Sequence, residues 1–286
     1  MKFAYNTNGW RGHTIEATIQ ALSSLGYDAI EIAPQADKLS PDSWAAEEAR
    51  RIRTLAADAG LTICNLHAGA RDLLDSRFPH EPSLISTSAN DRSRRLILIQ
   101  RAIDFAAELG TDLVCITSGP LPQRCSIHDA RQRLKDGLHE CLAYADQRRI
   151  RLAIEPEPEL FVRLCLDFLD VHQALGTPGN LGLNLDIGHA QVMYEDTPAI
   201  IRELSELLWH VHFEDIANRV HEHLPPGRGQ VDFHAVGRAL SDIGYAGAVS
   251  VELMNHSHQA VEMAINCLAV MRTWRRSYGR RPQAVA

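Results

Sequence analysis

Several features are missing from this 286-residue sequence, and each absence narrows what the chain can be. No apolar run approaches the roughly 18 residues that a membrane-spanning helix needs. No pair among the six cysteines has CxxC spacing, and four of them sit inside apolar runs. Reduced thiols in a cytosolic core are expected, not a disulfide framework or a zinc ribbon. No GxGxxG turn follows the first apolar run and no Walker-type phosphate loop occurs, which removes two common nucleotide-binding fingerprints. Positive charge is not in excess. The net charge of −7 argues against a broad nucleic-acid surface. The opening MKFAYNTNGW turns polar after five residues, unlike a signal peptide, so a cytoplasmic location is expected.

What is present is ordinary in bulk. Hydrophobic residues are 45% and charged residues 23%, the values of a soluble globular protein. Histidine occurs 14 times, and its positions carry more than its number. Short apolar runs recur at 2–6, 28–33, 61–67, 111–118, 151–157, 181–186, 208–215 and 247–253. Each is partly β-branched or aromatic, as a strand buried on both faces should be. Helical patterns lie between them. One ends at Gly26, one opens at Ser40-Pro41, one opens at Asn90 or Asp91 and stops at Gly110, and others fit 127–149, 160–175, 198–207, 232–243 and 257–276.

Eight strands each followed by a helix give a closed (β/α)₈ TIM barrel or a doubly wound sheet. Polar residues recur at the C-terminal ends of several strands, whereas an open sheet gathers its site at one switch point. The α/β barrel is therefore the expected fold. It occupies 1–276 as one domain, with a basic tail at 277–286 that is expected to be flexible. Two long loops, 68–89 and 215–231, follow strands three and seven, where such loops bind or cover substrate.

Strand five ends in Glu155, strand six in Asp186, and strands seven and eight carry His212 and Glu252. In a barrel these four are neighbours on one rim. Three carboxylates brought together repel, and a divalent cation removes the conflict. Two Glu, one Asp and a neutral His suit Mn²⁺ or Mg²⁺, with Co²⁺ or Zn²⁺ also able to enter. Of the two histidines on strand seven, His212 is expected inside the barrel and His210 against the helix layer. Glu157, Glu214 and Asp215 are expected at the rim or behind the ligands.

The EP at 155–156, LDIGH at 185–189, HVHFED at 210–215, the RVHEHLPPGRG loop and VEL at 251–253 resemble the xylose-isomerase-like barrel superfamily. It holds sugar isomerases and epimerases beside nucleases of the endonuclease IV type. The resemblance spans almost the whole chain. It implies, by comparison with ketose 3-epimerases, that Glu155, Asp186, His212 and Glu252 bind one metal, and that Glu155 and Glu252 are the acid/base pair. It further implies that His189 and Arg219 hold oxygens of a small carbohydrate-like substrate, and that the chain forms a dimer or tetramer. The chemistry is removal of a hydrogen α to a carbonyl through an enediolate, in an isomerase or epimerase acting on a sugar, keto-sugar or cyclic polyol ketone. The same site could serve a lyase or dehydratase. The nuclease needs extra metal ligands that His67, His189 and His221 match. Thr117 replaces the fourth-strand histidine and Arg219 an aspartate, so His67 and His221 are read as substrate contacts. His67 equally fits a satisfied rim histidine. Asn8 and Trp10 could line the pocket, Trp10 equally being core packing. In the 68–89 loop, Arg71, Arg77 and His80 could meet an anionic or polyhydroxy group, or Arg71 and Arg77 could be surface ion pairs.

Overall fold

A computed structural model describes residues 1–35, 39–69 and 72–278. Its strands are β1 (Lys2–Asn6), β2 (Ala29–Ile32), β3 (Thr62–His67), β4 (Leu113–Ile116), β5 (Arg151–Ile154), β6 (Leu181–Asp186), β7 (Leu208–Phe213) and β8 (Ala248–Val251). They pair in parallel in sequence order, and β8 returns to β1 to close the barrel. Each lies within its expected run because the branched and aromatic residues that fill it are buried on both sides. One side packs in the barrel and the other against helices.

The outer ring is α1 (Ile15–Leu25), α2 (Ala46–Asp58), α3 (Ala89–Leu109), α4 (Ile127–Asp146), α5 (Cys165–Ala174), α6 (Ile187–Val192), α7 (Thr197–Glu203), α8 (Phe233–Asp242) and α9 (Ala260–Tyr278). Local chemistry sets their ends. The hydroxyls of Thr14, Ser88 and Ser126 accept from Ala17, Asp91 and Asp129 backbone N–H groups to start α1, α3 and α4. Gly26 and Gly110 close α1 and α3 in the left-handed region.

Several helices differ from expectation. Ser40-Pro41 opens a separate 3-10 turn at Pro41–Ser43, and α2 starts only at Ala46. Ser88, not Asn90 or Asp91, caps α3. Residues 160–164 stay outside α5, because Asp167 accepts from the Arg163 and Leu164 backbone N–H groups and fixes the start there. A short α6 follows β6 directly, since the Asp186 carboxylate caps it. The helix α9 runs through Tyr278, so the expected tail begins as helix, and 279–286 lie outside the described residues.

Ala4, Ala29 and Ala248, with Cys64 against them, form a floor of small side chains in the barrel. Strand residues two apart share a face, so Asn6, Glu31 and Ser250 stand one layer above that floor and Glu252 a layer higher. The same rule corrects the placing of His210. It lies two residues before His212 and points inward with it, and both are fully buried beside Glu31. Register shifts sit between Ile30 and Glu31 on β2 and between Leu183 and Asn184 on β6. All six cysteines are free. Among the described residues no helix is long and apolar enough to cross a membrane.

Candidate metal centre and active site

The C-terminal ends of β5 to β8 bring Glu155, Asp186, His212 and Glu252 together, one donor atom from each lying within 4.8 Å of the others. All four are buried. His212 Nδ1 is 2.8 Å from Glu155 Oε1, 2.9 Å from Glu252 Oε2 and 3.8 Å from Asp186 Oδ2. Its Nε2 donates to Glu31 Oε1 at 3.0 Å. Burial opposes a charge on this imidazole, but Glu252, Glu31 and Glu155 lift it well above the usual histidine value. Burial likewise opposes ionisation of Glu155 and Glu252. His212 and His67 outweigh it at Glu155 and hold its carboxyl well below the usual range. At Glu252, whose carboxyl lies at about 2, His212 is the main opposing influence.

This arrangement fits a divalent cation. One ring nitrogen carries a single proton or a single lone pair, so it cannot satisfy three carboxylates at once. A cation among the four groups would engage all of them. Asp186 shows the same incompleteness. Its Oδ1 accepts from the Gly188 and His189 backbone N–H groups at 2.6 and 2.9 Å. Its Oδ2 is buried without a hydrogen-bond partner and faces the centre. The N-terminus of α6 thus aims one oxygen of the carboxylate and leaves the other for a ligand.

The remaining oxygens of the two glutamates are held from outside. His67 Nε2 donates to Glu155 Oε2 at 2.9 Å, and Asn8 Nδ2 donates to Glu252 Oε1 at 2.7 Å. The centre opens into a cavity of about 330 Å³, lined in part by Asn8, His67, Glu155, Glu157, His189, His221 and Glu252. His189 Nδ1 donates to the Pro156 carbonyl, and its Nε2 meets His221 Nε2 at 2.9 Å. Burial opposes charge on His189, but Asp186, Glu155 and Glu157 raise it to about 9. His221, lowered by burial and by His189 to about 3, accepts that proton's hydrogen bond.

Other expected site residues stand elsewhere. Arg219 is exposed. It donates to the Gln191 carbonyl, and its guanidinium carbon lies 3.1 Å from the centre of the Tyr194 ring. The fold does not bring it to the cavity. Trp10 is fully buried and packs edge-on against Tyr5 and His13, so its place is the core. Arg77 pairs with Asp75 on the outside of its loop. His80 turns inward to the cavity, 3.4 Å from Glu157. Arg71 lies outside the described residues.

Glu31 is not among the expected site residues, although its signal is present as an acid inside the apolar run AIEIA. Glu214 was expected at the rim or behind the ligands. Glu214 is fully buried against Gly188 and pairs with His223. A Cβ at Gly188 would sit 1.9 Å from a Glu214 carboxylate oxygen, which explains the glycine in DIGH.

The chain is similar to L-ribulose-5-phosphate 3-epimerase UlaE of Escherichia coli K12, with 25% identity over 253 residues, 86% of this chain and 85% of the relative. Among solved structures, a D-tagatose 3-epimerase-like protein superposes with a TM-score of 0.82 at 22% identity, covering 98% of each chain. The IolI protein with a bound zinc atom superposes with a TM-score of 0.81 at 19% identity, covering 97% of this chain and 99% of that one. Family-level similarity runs through residues 19–274, and the chain belongs to the xylose isomerase-like TIM barrel family.

Proposed function

We propose that this chain is a sugar epimerase or isomerase that depends on one divalent metal ion, manganese or magnesium. Glu155, Asp186, His212 and Glu252 are its ligands, and Glu155 and Glu252 its acid/base pair. The observation that carries the reading is the two-sided placement of the glutamates. Each turns one oxygen to the shared centre, and His67 or Asn8 holds the other. Glu155 follows β5 and Glu252 follows β8, three strands apart around the rim, so they approach the centre from different sides. Relatives named as 3-epimerases of ribulose phosphate and tagatose type support the reaction class.

Bound at this centre, a divalent cation would polarise a substrate carbonyl and its neighbouring hydroxyl and so acidify the hydrogen between them. The protein's own part is the movement of that proton. One glutamate removes it from one face of the substrate, and the other returns a proton to the opposite face, inverting the carbon. Isomerisation needs only one of them, shuttling the proton between adjacent carbons. His67 and Asn8 fix the two carboxylates in hydrogen-bonding orientation. His189 Nε2–H, now given to His221, is placed to donate to a substrate oxygen. Pro79 and His80 from the loop after β3 line the cavity beside Glu157.

The test is deuterium exchange. The protein is incubated with Mn²⁺ in D₂O with a panel of ketoses, ketose phosphates, 3-keto-glycosides and inososes, and products are read by NMR. The expected result is deuterium at the carbon α to the ketone in one substrate, with an epimer or isomer formed. Glu252→Gln should reduce the rate on the order of 10²- to 10⁴-fold. A product formed by loss of water or of a glycosidic group would assign a lyase instead. No exchange with any substrate would refute the acid/base reading.

A further inference from the structure

Below the metal centre lies a charged group that neither the ligand set nor the acid/base pair uses. Glu31 is fully buried in the barrel, where an unpaired carboxylate is costly. Three donors surround it: Asn65 Nδ2 at 2.8 Å and His212 Nε2 at 3.0 Å on Oε1, and His210 Nε2 at 3.2 Å on Oε2. The β2–β3 register shifts between Ile30 and Glu31 and sets Glu31 level with Asn65, as bulges do where a side chain must be re-aimed. The ring of His210 has no second partner, its Nδ1 being buried without one. Its polar contact serves Glu31 alone.

We infer that Glu31, anchored by Asn65 and His210, is the positioning residue that fixes the proton of His212 on Nε2 and so presents Nδ1 as a bare ligand to the metal. The inference rests on the metal reading above and adds to it a reason why this histidine binds through Nδ1. Imidazole offers two nitrogens that differ only in which holds the proton. A carboxylate at Nε2 settles that choice, orients the ring and makes Nδ1 more basic. In Glu31→Gln the carboxylate acceptor at Nε2 is gone, so the ring is no longer held in one orientation with its proton on that nitrogen.

The experiment compares wild type, Glu31→Gln and Asn65→Leu, each shown to be folded by circular dichroism. Zinc affinity is measured by competition with a chromophoric chelator. The His212 ring proton is observed by NMR in the zinc-loaded, ¹⁵N-labelled proteins. In wild type the expected result is a far-downfield, slowly exchanging proton on Nε2. In Glu31→Gln that proton moves upfield and exchanges faster, and the zinc Kd rises about 10- to 100-fold. Asn65→Leu, which keeps the carboxylate, shifts both in the same direction by less, and decides the matter should Glu31→Gln fail to fold. Wild-type protein that binds no zinc would refute the metal reading itself. Zinc-binding wild type with variants identical to it in Kd and in the His212 proton would overturn this inference alone.

Discussion

Glu155 and Glu252 each face two ways, and the neighbours that hold their outer oxygens are as much part of the candidate site as the proposed ligands. Asn8 is the clearest case, since its amide donates to Glu252 Oε1 at 2.7 Å. Asn8→Ala should lower kcat about 10-fold with the overall fold kept, measured as the exchange rate at saturating substrate. Gly188 has a different duty. Any Cβ there meets the buried Glu214 carboxylate. Gly188→Ala should therefore cost about 1–3 kcal/mol, read from urea denaturation, and should displace the Asp186 carboxylate that the next two backbone N–H groups hold. The acids at strand ends were readable in the sequence because a charge closing an apolar run has no packing reason to be there. Trp10 and Arg219 were not. A residue type at the expected place in a chain says nothing of which way a loop turns it. Tyr194 and the Gln191 carbonyl offer the Arg219 guanidinium a partner away from the cavity.

Elements position the site more than their propensities alone suggest. The loop after β7 carries His221 and His223 to the cavity, and Asp215 holds it. The Asp215 carboxylate accepts from the backbone N–H groups of Ile216, Gly227, Gly229 and Val231, with lengths of 2.8–3.0 Å. Asp215→Ala should destabilise the protein by about 3 kcal/mol. Amide exchange at 227–231 should rise more than exchange in the barrel strands, and equal protection in variant and wild type would contradict the role. The eight strands were legible from their apolar runs. The start of α5 was not, since it depends on Asp167 finding the Arg163 and Leu164 N–H groups, a contact with no periodic signal. The inward turn of His210 was legible in the period-two geometry of a strand, and the structure shows both histidines using it.

At the scale of the whole molecule, the barrel converts eight separate strand ends into one rim, and that closure gathers isolated acids into the proposed ligand set. The pieces lie as far apart in sequence as Asn8 and Glu252, and only β1–β8 pairing makes them neighbours. Metal should then stabilise the whole fold, because an ion that binds only the native rim shifts the unfolding equilibrium by mass action. At 100 times Kd the gain is about 2.7 kcal/mol, and chelator should remove it from the thermal transition. A calorimetric titration of metal-free protein with Mn²⁺ probes the proposed centre itself. One ion should bind per chain in wild type, and binding should be lost in Asp186→Ala, whose buried oxygen has no other partner. Absence of binding in wild type, or equal binding in wild type and Asp186→Ala, would contradict it.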